Sequence, residues 1–553
     1  MARGPSVLAL FAVLAAGAPA LPAQGPPSGQ PPALTVTQGP RGGTWKRTFN
    51  PFLNDADTRF PAAAGVYEPL LIHNRATGAN TPWLATGFQW LADNSRLRFA
   101  IRRGVVWSDG TPFSARDVVF TFELMKRVPA LDLNGVWSFL GGVAAPDPQT
   151  VEFAFRRPYT PGLILIGHQA IVPEHRWKAV AQPATFDDPE PVGTGPFTEV
   201  VRFEPTVYEL GRNPRYWQPG KPAASRLRIP LYRSNDEIVR ALNANELDWA
   251  SLFLSGIEQA WVAKAPAHHQ YWYPDFGPTV LLVLNTRSPP FDDRNVRKAI
   301  SMALDRPRVM IEALGGYAPP ADETGLAESQ KRWKDAALAA GAGWTKRDVA
   351  KANRLLDAAG LARGPDGVRL RGGQPLRYDL HVVQGWSDWA AAARIMRENL
   401  AEVGVAASVK ALAYGDWVEA LRRGRFDLGM WFGTRGPTPY QFYRGQLDGA
   451  LVRPVGEEAS DNYHRFASAE AEALLRRFEV SSDPEELLGL NRQLQKLYVD
   501  EAPSLPLFAS PLWGVFNLSR FTGFPNRFNP YAAAAPGGQP DALPVLLEAK
   551  PRQ

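Results

Sequence analysis

Apolar side chains recur along this chain at two spacings, every second residue and roughly every 3.6 residues, and the switches between them mark its elements. Leu97, Phe99 and Ile101 alternate with polar neighbours, as do the apolar positions of Thr150-Val-Glu-Phe-Ala-Phe155 and Tyr378-Asp-Leu-His-Val-Val383; each reads as a half-buried strand. Thr279-Val-Leu-Leu-Val-Leu-Asn285 is instead a continuous apolar run, the pattern of a strand covered on both faces. Pro289 and Pro290 remove backbone donors and end it. Asp292 and Asp293 then offer an acceptor and a negative charge at a helix start. Val296, Ile300 and Ala303 follow at helical spacing, and Asp293 and Arg297 are spaced for an i,i+4 pair.

The same reading places a helix at 115–127, capped by Ser114 with Asp117 three residues on. Further along, strand and helix alternate: strand 378–383, helix 389–403 ended by Gly404, strand 405–412, helix 416–423 ended by Gly424, strand 426–432. Such an order implies a parallel sheet with helices on both faces. A late helix spans 485–500, and the Ala/Pro/Gly-rich segment 532–553 is expected to be a flexible tail. No internal repeat is present.

The first residues read as a signal peptide, 1–23. Arg3 supplies its positive charge, Val7 to Ala16 its apolar stretch, and cleavage after Ala20 or Ala23 fits the small residues there. No later segment is long and apolar enough to cross a bilayer. An exported, soluble, periplasmic protein is expected. With Cys 0 it has no lipid anchor, no disulfide, no thiolate metal site and no Cys nucleophile.

A chain of 553 residues exceeds what one core serves, so several domains are expected. The balance of 61 basic against 55 acidic residues is small for this length, and without a Lys/Arg run it gives no reason to expect nucleic acid as a partner. Val192-Gly193-Thr-Gly195-Pro-Phe197 is no phosphate cradle, because Pro196 removes a donor and no Gly-Lys-Ser/Thr follows. A hydrolase is weakly indicated: there is no Gly-x-Ser-x-Gly elbow or His-Glu-x-x-His helix, and no spacing singles out a carboxylate pair. His268 and His269 are adjacent, not spaced as helical ligands, so no metal is expected, and no cofactor.

Several strings go beyond pattern. Gly104-Val-Val-Trp-Ser-Asp-Gly110 with Pro112-Phe-Ser-Ala-Arg-Asp-Val118, the Gly193 to Phe197 turn, and Leu284-Asn-Thr with Pro289-Pro-Phe-Asp-Asp and Val296-Arg-Lys-Ala-Ile300 resemble the family 5 solute-binding proteins of ABC importers. The resemblance covers roughly residues 40 to 520. It implies an α/β, periplasmic-binding-protein-like fold (class II, with an extra domain), two lobes joined by a hinge around a ligand cleft. Lobe one would comprise 34–66, 190–283 and 506–531, the added domain 67–189 and lobe two 284–505, with Asn285 and Pro506 at the hinge. It further implies a monomer that is no enzyme and that delivers its ligand to a membrane ABC permease and its ATPase.

In open α/β sheets, ligands bind beyond the carboxyl ends of the strands. Two loops lie there. Gln384-Gly-Trp386-Ser-Asp388-Trp389 presents two indoles and a carboxylate, suited to sugar faces and to hydroxyls or an amine. Gly433 to Pro439 carries Arg435 and follows Trp431, which points away from Met430 and Phe432. Peptide binders of the family carry a carboxylate in this second loop, and here none occurs from 428 to 440. The first loop and Leu131 to Trp137 look closer to the branch binding cello-oligosaccharides. The candidate ligand residues are therefore Trp386, Asp388, Trp389, Trp431, Arg435 and, from the opening strand of lobe one, Trp45. A short β-linked oligosaccharide is favoured narrowly over an oligopeptide.

Overall fold

The computed structural model describes residues 32–54, 56–341, 343–434 and 436–552. The expected signal peptide and Arg435 lie outside these. Among the described residues no helix is long and apolar enough to cross a membrane.

Three sheets carry the architecture. A seven-stranded mixed sheet forms the first lobe, in the order 269–272, 514–517, 249–250, 33–37, 226–230, 207–212, 197–204. Beside it stands a four-stranded antiparallel sheet built from 85–91, 96–101, 150–155 and 140–147. Its buried alternation is the one the sequence predicts: Leu97 pairs with Phe153 and Phe99 with Val151, all on the covered face. The helix Ala115–Arg127 covers that sheet and starts at Ser114, whose N–H donates to Asp117 as expected.

The second lobe is a five-stranded sheet in the order 406–412, 377–383, 428–432, 279–284, 505–509. The first three strands are parallel, in keeping with the strand–helix alternation. Of the other two only Thr279–Leu284 runs antiparallel to these, and its pairing corrects the hinge expectation. Thr279–Leu284 pairs with Leu428–Phe432 on one side and Leu505–Ala509 on the other, so both strands belong wholly to the second lobe. Asn285 is buried there, turning its side chain onto the Arg287 N–H at 3.1 Å. The Pro506 carbonyl accepts from the buried Arg306 at 2.8 Å. The chain crosses earlier and later than expected, at 274–278 and 510–513. There Ser510 N–H donates to Pro278 O at 2.9 Å and Leu512 N–H to Pro274 O at 2.8 Å. Gly277 is needed at this crossing, because a Cβ would lie 2.0 Å from Ser510 O.

Two further expectations change. Arg297 does not settle into a surface pair with Asp293. It is buried, and its guanidinium donates to the carbonyls of Phe291, Asp292, Glu501 and Ala502, tying the two chain segments together. Nor is 532–553 a free tail. Ala532 to Ala535 are buried, Ala534 O accepts the Trp249 indole N–H at 2.7 Å, and the helix Leu543–Glu548 buries Leu543, Val545, Leu546 and Leu547. Small Ala residues let the backbone lie flat on the first lobe, which composition alone reads as mobility. The Gly193–Gly195 turn serves the same end: a Cβ at either glycine would stand 2.0–2.2 Å from a carbonyl of Gly65 or Val66.

Candidate functional site

The two lobes meet over the crossing, and two cavities flank Pro278 between them. The smaller, about 300 Å³, takes its second-lobe wall from Trp386, Asp388, Trp389 and Phe432. Leu252, Phe253 and Trp513 line it from the first lobe and the crossing, and Ala535 to Gly538 of the packed C-terminal segment close it.

Local sequence explains how the second-lobe wall is built. Gly385 adopts φ +88 and turns the chain out of strand Arg377–Val383, and Trp386 then precedes the helix Ser387–Glu402. Asp388 therefore falls in the first helical turn, where the N–H groups of Trp389 and of Asp388 itself donate to its carboxylate. Burial outweighs them and pushes its carboxyl up to about 6. Asp388 is 5% exposed, has no side-chain partner among the described residues, and lines a cavity whose aromatic and aliphatic walls also carry Gln38, Asn235, Ser251 and Ser510.

The indoles are packed on one another. Trp386 and Trp389 meet edge to face with ring centres 5.0 Å apart, and Trp389 lies 4.9 Å from Phe432 and 5.8 Å from the buried Trp417. Trp389 is 2% exposed, while Trp386 stays half-buried at the cavity edge. Its N–H reaches across to Pro40 O at 3.4 Å, and beside it Asn235 Nδ2 donates to Ser387 Oγ at 2.9 Å. A second cross-lobe contact joins Thr160 N–H to Glu479 O at 3.0 Å, with Arg157 and Tyr440 both on the Glu479 carboxylate. The lobes are thus in contact across the cleft.

Of the expected ligand residues, Trp386, Asp388 and Trp389 come together at this cavity. Trp431 and Trp45 do not. Trp431 points to the other face of its strand and packs on Tyr463 and Trp417, leaving the cleft to its neighbour Phe432. Trp45 is buried in the first lobe between Phe60 and Tyr208, with Arg41 over its ring at 4.3 Å. Period-two alternation separates the two faces of a strand without saying which meets the cleft. Phe432 was missed for that reason; Phe253 and Trp513 lie outside any strand and carry no local signal, and the crossing that holds Trp513 was expected elsewhere.

The larger cavity, about 790 Å³, is polar. His73 and Arg75 on the turn between strands Leu71–His73 and Asn80–Pro82 line it from the first lobe. Gln330, Arg332, Thr434 and Thr438 line it from the second. Asp461, behind the loop that begins at Gly433, is also raised to about 6 by burial, but the Thr434 hydroxyl and the Asn462 N–H already occupy it, and it lines neither cavity. Among the described residues no group of three or more His, Cys, Asp or Glu is placed to hold a metal ion.

Comparison with known proteins gives consistent relatives. The family model "Bacterial extracellular solute-binding proteins, family 5 Middle" matches residues 80–450. Di/tripeptide-binding protein 2 of Pseudomonas aeruginosa is 24% identical over 530 residues, covering 88% of this chain and 91% of its own. The glutathione-binding protein GsiB of Escherichia coli K12 is 24% identical over 464 residues, covering 80% and 82%. Among solved structures, a periplasmic oligopeptide-binding protein of Thermotoga maritima with bound mannohexaose superposes with a TM-score of 0.85 at 25% identity, covering 94% of this chain and 99% of its own. The Bacillus subtilis oligopeptide-binding protein AppA with a nonapeptide reaches 0.78 at 18% identity, covering 95% and 99%.

Proposed function

Because the chain belongs to the family 5 bacterial extracellular solute-binding proteins, we propose that its cleft captures a short peptide by the free amino terminus and delivers it to a membrane permease. Membership makes it a solute-binding protein of the ABC-importer class and not an enzyme. In this reading it works as a monomer in the periplasm, closing on its ligand and docking on an ABC permease driven by its ATPase.

The observation that carries the peptide reading is Asp388. An ammonium enclosed in a cleft needs a buried negative charge, because unpaired it is costly to desolvate. Asp388 is such a charge, unpaired by any described side chain, buried in the cavity wall and held at a helix start. It supplies from another loop the carboxylate lacking at 428–440. The relatives named for dipeptides, tripeptides and glutathione support the same reading.

The narrow preference for an oligosaccharide rests on the Trp386 and Trp389 pair, on Asp388 as an acceptor for hydroxyls, and on the carboxylate lacking at 428–440. Trp389 is 2% exposed and packed on Trp386, Trp417 and Phe432, so it offers a sugar ring little free indole surface and leaves only the half-buried Trp386. The mannohexaose held by the Thermotoga maritima protein keeps an oligosaccharide as the second reading.

Calorimetry on ligand-free protein tests the choice, with di- to pentaalanine, their N-acetylated forms and cello-oligosaccharides. Binding of the free peptides, lost on acetylation and in Asp388→Asn, is expected. Peptide binding indifferent to acetylation would remove Asp388 from the role given it, and binding of the sugars alone would reverse the assignment.

A further inference from the structure

The small cavity takes part of its wall from the far end of the chain, where Ala535, Gly537 and Gly538 line it beside Gln38 and Gly39. This stretch is tied to the first lobe along its length. Asn74 Nδ2 donates to Tyr531 O at 2.7 Å, and the Arg75 N–H to an Asp541 carboxylate oxygen at 3.3 Å. Between them Ala534 O accepts the Trp249 indole N–H, the Ala533 N–H donates to Asp541 O at 3.3 Å, and the Gly538 N–H to Ala535 O at 3.1 Å. Gly514, opening the strand Gly514–Asn517, lies so close that a Cβ there would stand 2.7 Å from Ala534 O. The segment is a fixed wall.

Three glycines line the cavity, and they differ in what keeps them bare. Gly39 adopts φ +119, and a Cβ there would stand 3.2 Å from Ser251 O. Gly538 is buried, and a Cβ would meet Ala533 Cβ at 3.0 Å and Ala535 O at 3.2 Å. Gly537 has neither constraint. It is exposed, its φ lies outside the left-handed region, and a Cβ would make only ordinary contacts, with Gln38 at 3.7–3.9 Å. Neither backbone nor packing calls for glycine at 537. What a side chain there would take is space beside Gln38 in the cavity. At about 300 Å³ the cavity stands at the small end of ligand sites, so one side chain's volume is a large share of it.

We propose that segment 532–541 sets which peptides this cleft accepts: the bare Gly537 leaves room, in the cavity that holds Asp388, for a large apolar first side chain. The proposal rests on the peptide reading above and narrows its ligands to those that open with a residue such as leucine or phenylalanine. With the ammonium on Asp388, the first side chain is the part of the peptide nearest the same cavity. Phe253, Trp386, Phe432, Leu512 and Trp513 offer it ring and methyl surface. Asp388 stands on the second lobe and segment 532–541 on the first. A small first side chain therefore leaves a gap between the two walls, and a large one gives both of them contact atoms.

Calorimetry on ligand-free protein tests this with trialanine and with its variants carrying phenylalanine in first or in last place, on wild type and on Gly537→Val. In wild type, phenylalanine in first place is expected to tighten binding about tenfold over trialanine. In Gly537→Val that advantage is expected to vanish, while trialanine and the peptide with phenylalanine last keep their affinities. Should Gly537→Val fail to fold, Gly537→Ala takes its place, with the advantage reduced. No advantage for a first phenylalanine in wild type would overturn the proposal, and so would an advantage undiminished in the variant. In both cases the ammonium reading stands if acetylation still abolishes binding. Equal weakening of all three peptides in the variant would show a wall without selectivity and would equally overturn it. No binding by any free peptide would overturn both readings together.

Discussion

Asp388→Asn should make the empty protein more stable while removing its ligand binding. The carboxyl is raised from 3.8 to about 6 by burial. At 1.36 kcal/mol for each factor of ten in proton affinity, the buried charge opposes folding by about 3 kcal/mol at pH 8. The sign follows from the raised value. Between about pH 4 and 6 the folded state holds a proton that the unfolded state has released. This contribution is therefore present in acid and is lost as the pH rises through about 6. Asn has the same shape and no charge, but its amide must also be desolvated. The variant should gain on the order of 1–3 kcal/mol at pH 8 and little at pH 4. Guanidinium unfolding of ligand-free protein at both pH values, followed by the fluorescence of its 17 Trp, measures this. A variant less stable than wild type at pH 8 would make Asp388 a structural cap. A gain equal at both pH values would show that burial of charge is not its cause. Stability traded for an unpaired charge is the usual signature of a binding residue.

Trp386→Ala should weaken peptide binding by about 1–3 kcal/mol with the circular dichroism unchanged, because the indole covers the cavity edge and holds Pro40 of the opposite lobe; unaltered calorimetric affinity would make Trp386 mere packing. Arg297→Met should cost on the order of 3 kcal/mol in chemical denaturation by leaving buried carbonyls without their donor, with peptide preference unchanged. Leu546→Ala should cost about 2–5 kcal/mol by opening a cavity beneath the C-terminal helix, whereas a free tail would show no change in the unfolding midpoint.

Local pattern carried much of this fold. The helix observed at Ser387–Glu402 and the strands at 377–383, 406–412 and 428–432 lie within a few residues of their expected bounds, because periodicity and terminal glycines are local signals. The hinge was misplaced because a fully apolar strand such as Thr279–Leu284 reads the same in whichever sheet it is buried. The close approach that marks the true crossing, Gly277 against Ser510, joins residues far apart in sequence. The C-terminal segment misled through composition, since Ala, Pro and Gly describe flexible chain and close packing alike. At the site, the Trp386–Asp388–Trp389 cluster was legible because three suited side chains stand together. Phe253 and Trp513 were not, because each lies outside a strand and reaches the cavity only through contacts between segments far apart in sequence.

The central claim, that the cleft carries a peptide, is tested most directly by native mass spectrometry of the protein purified without unfolding, followed by release and fragmentation of whatever it holds. The account predicts short peptides with free amino ends. A released ladder of hexose oligomers, with no peptide among the released species, would contradict it.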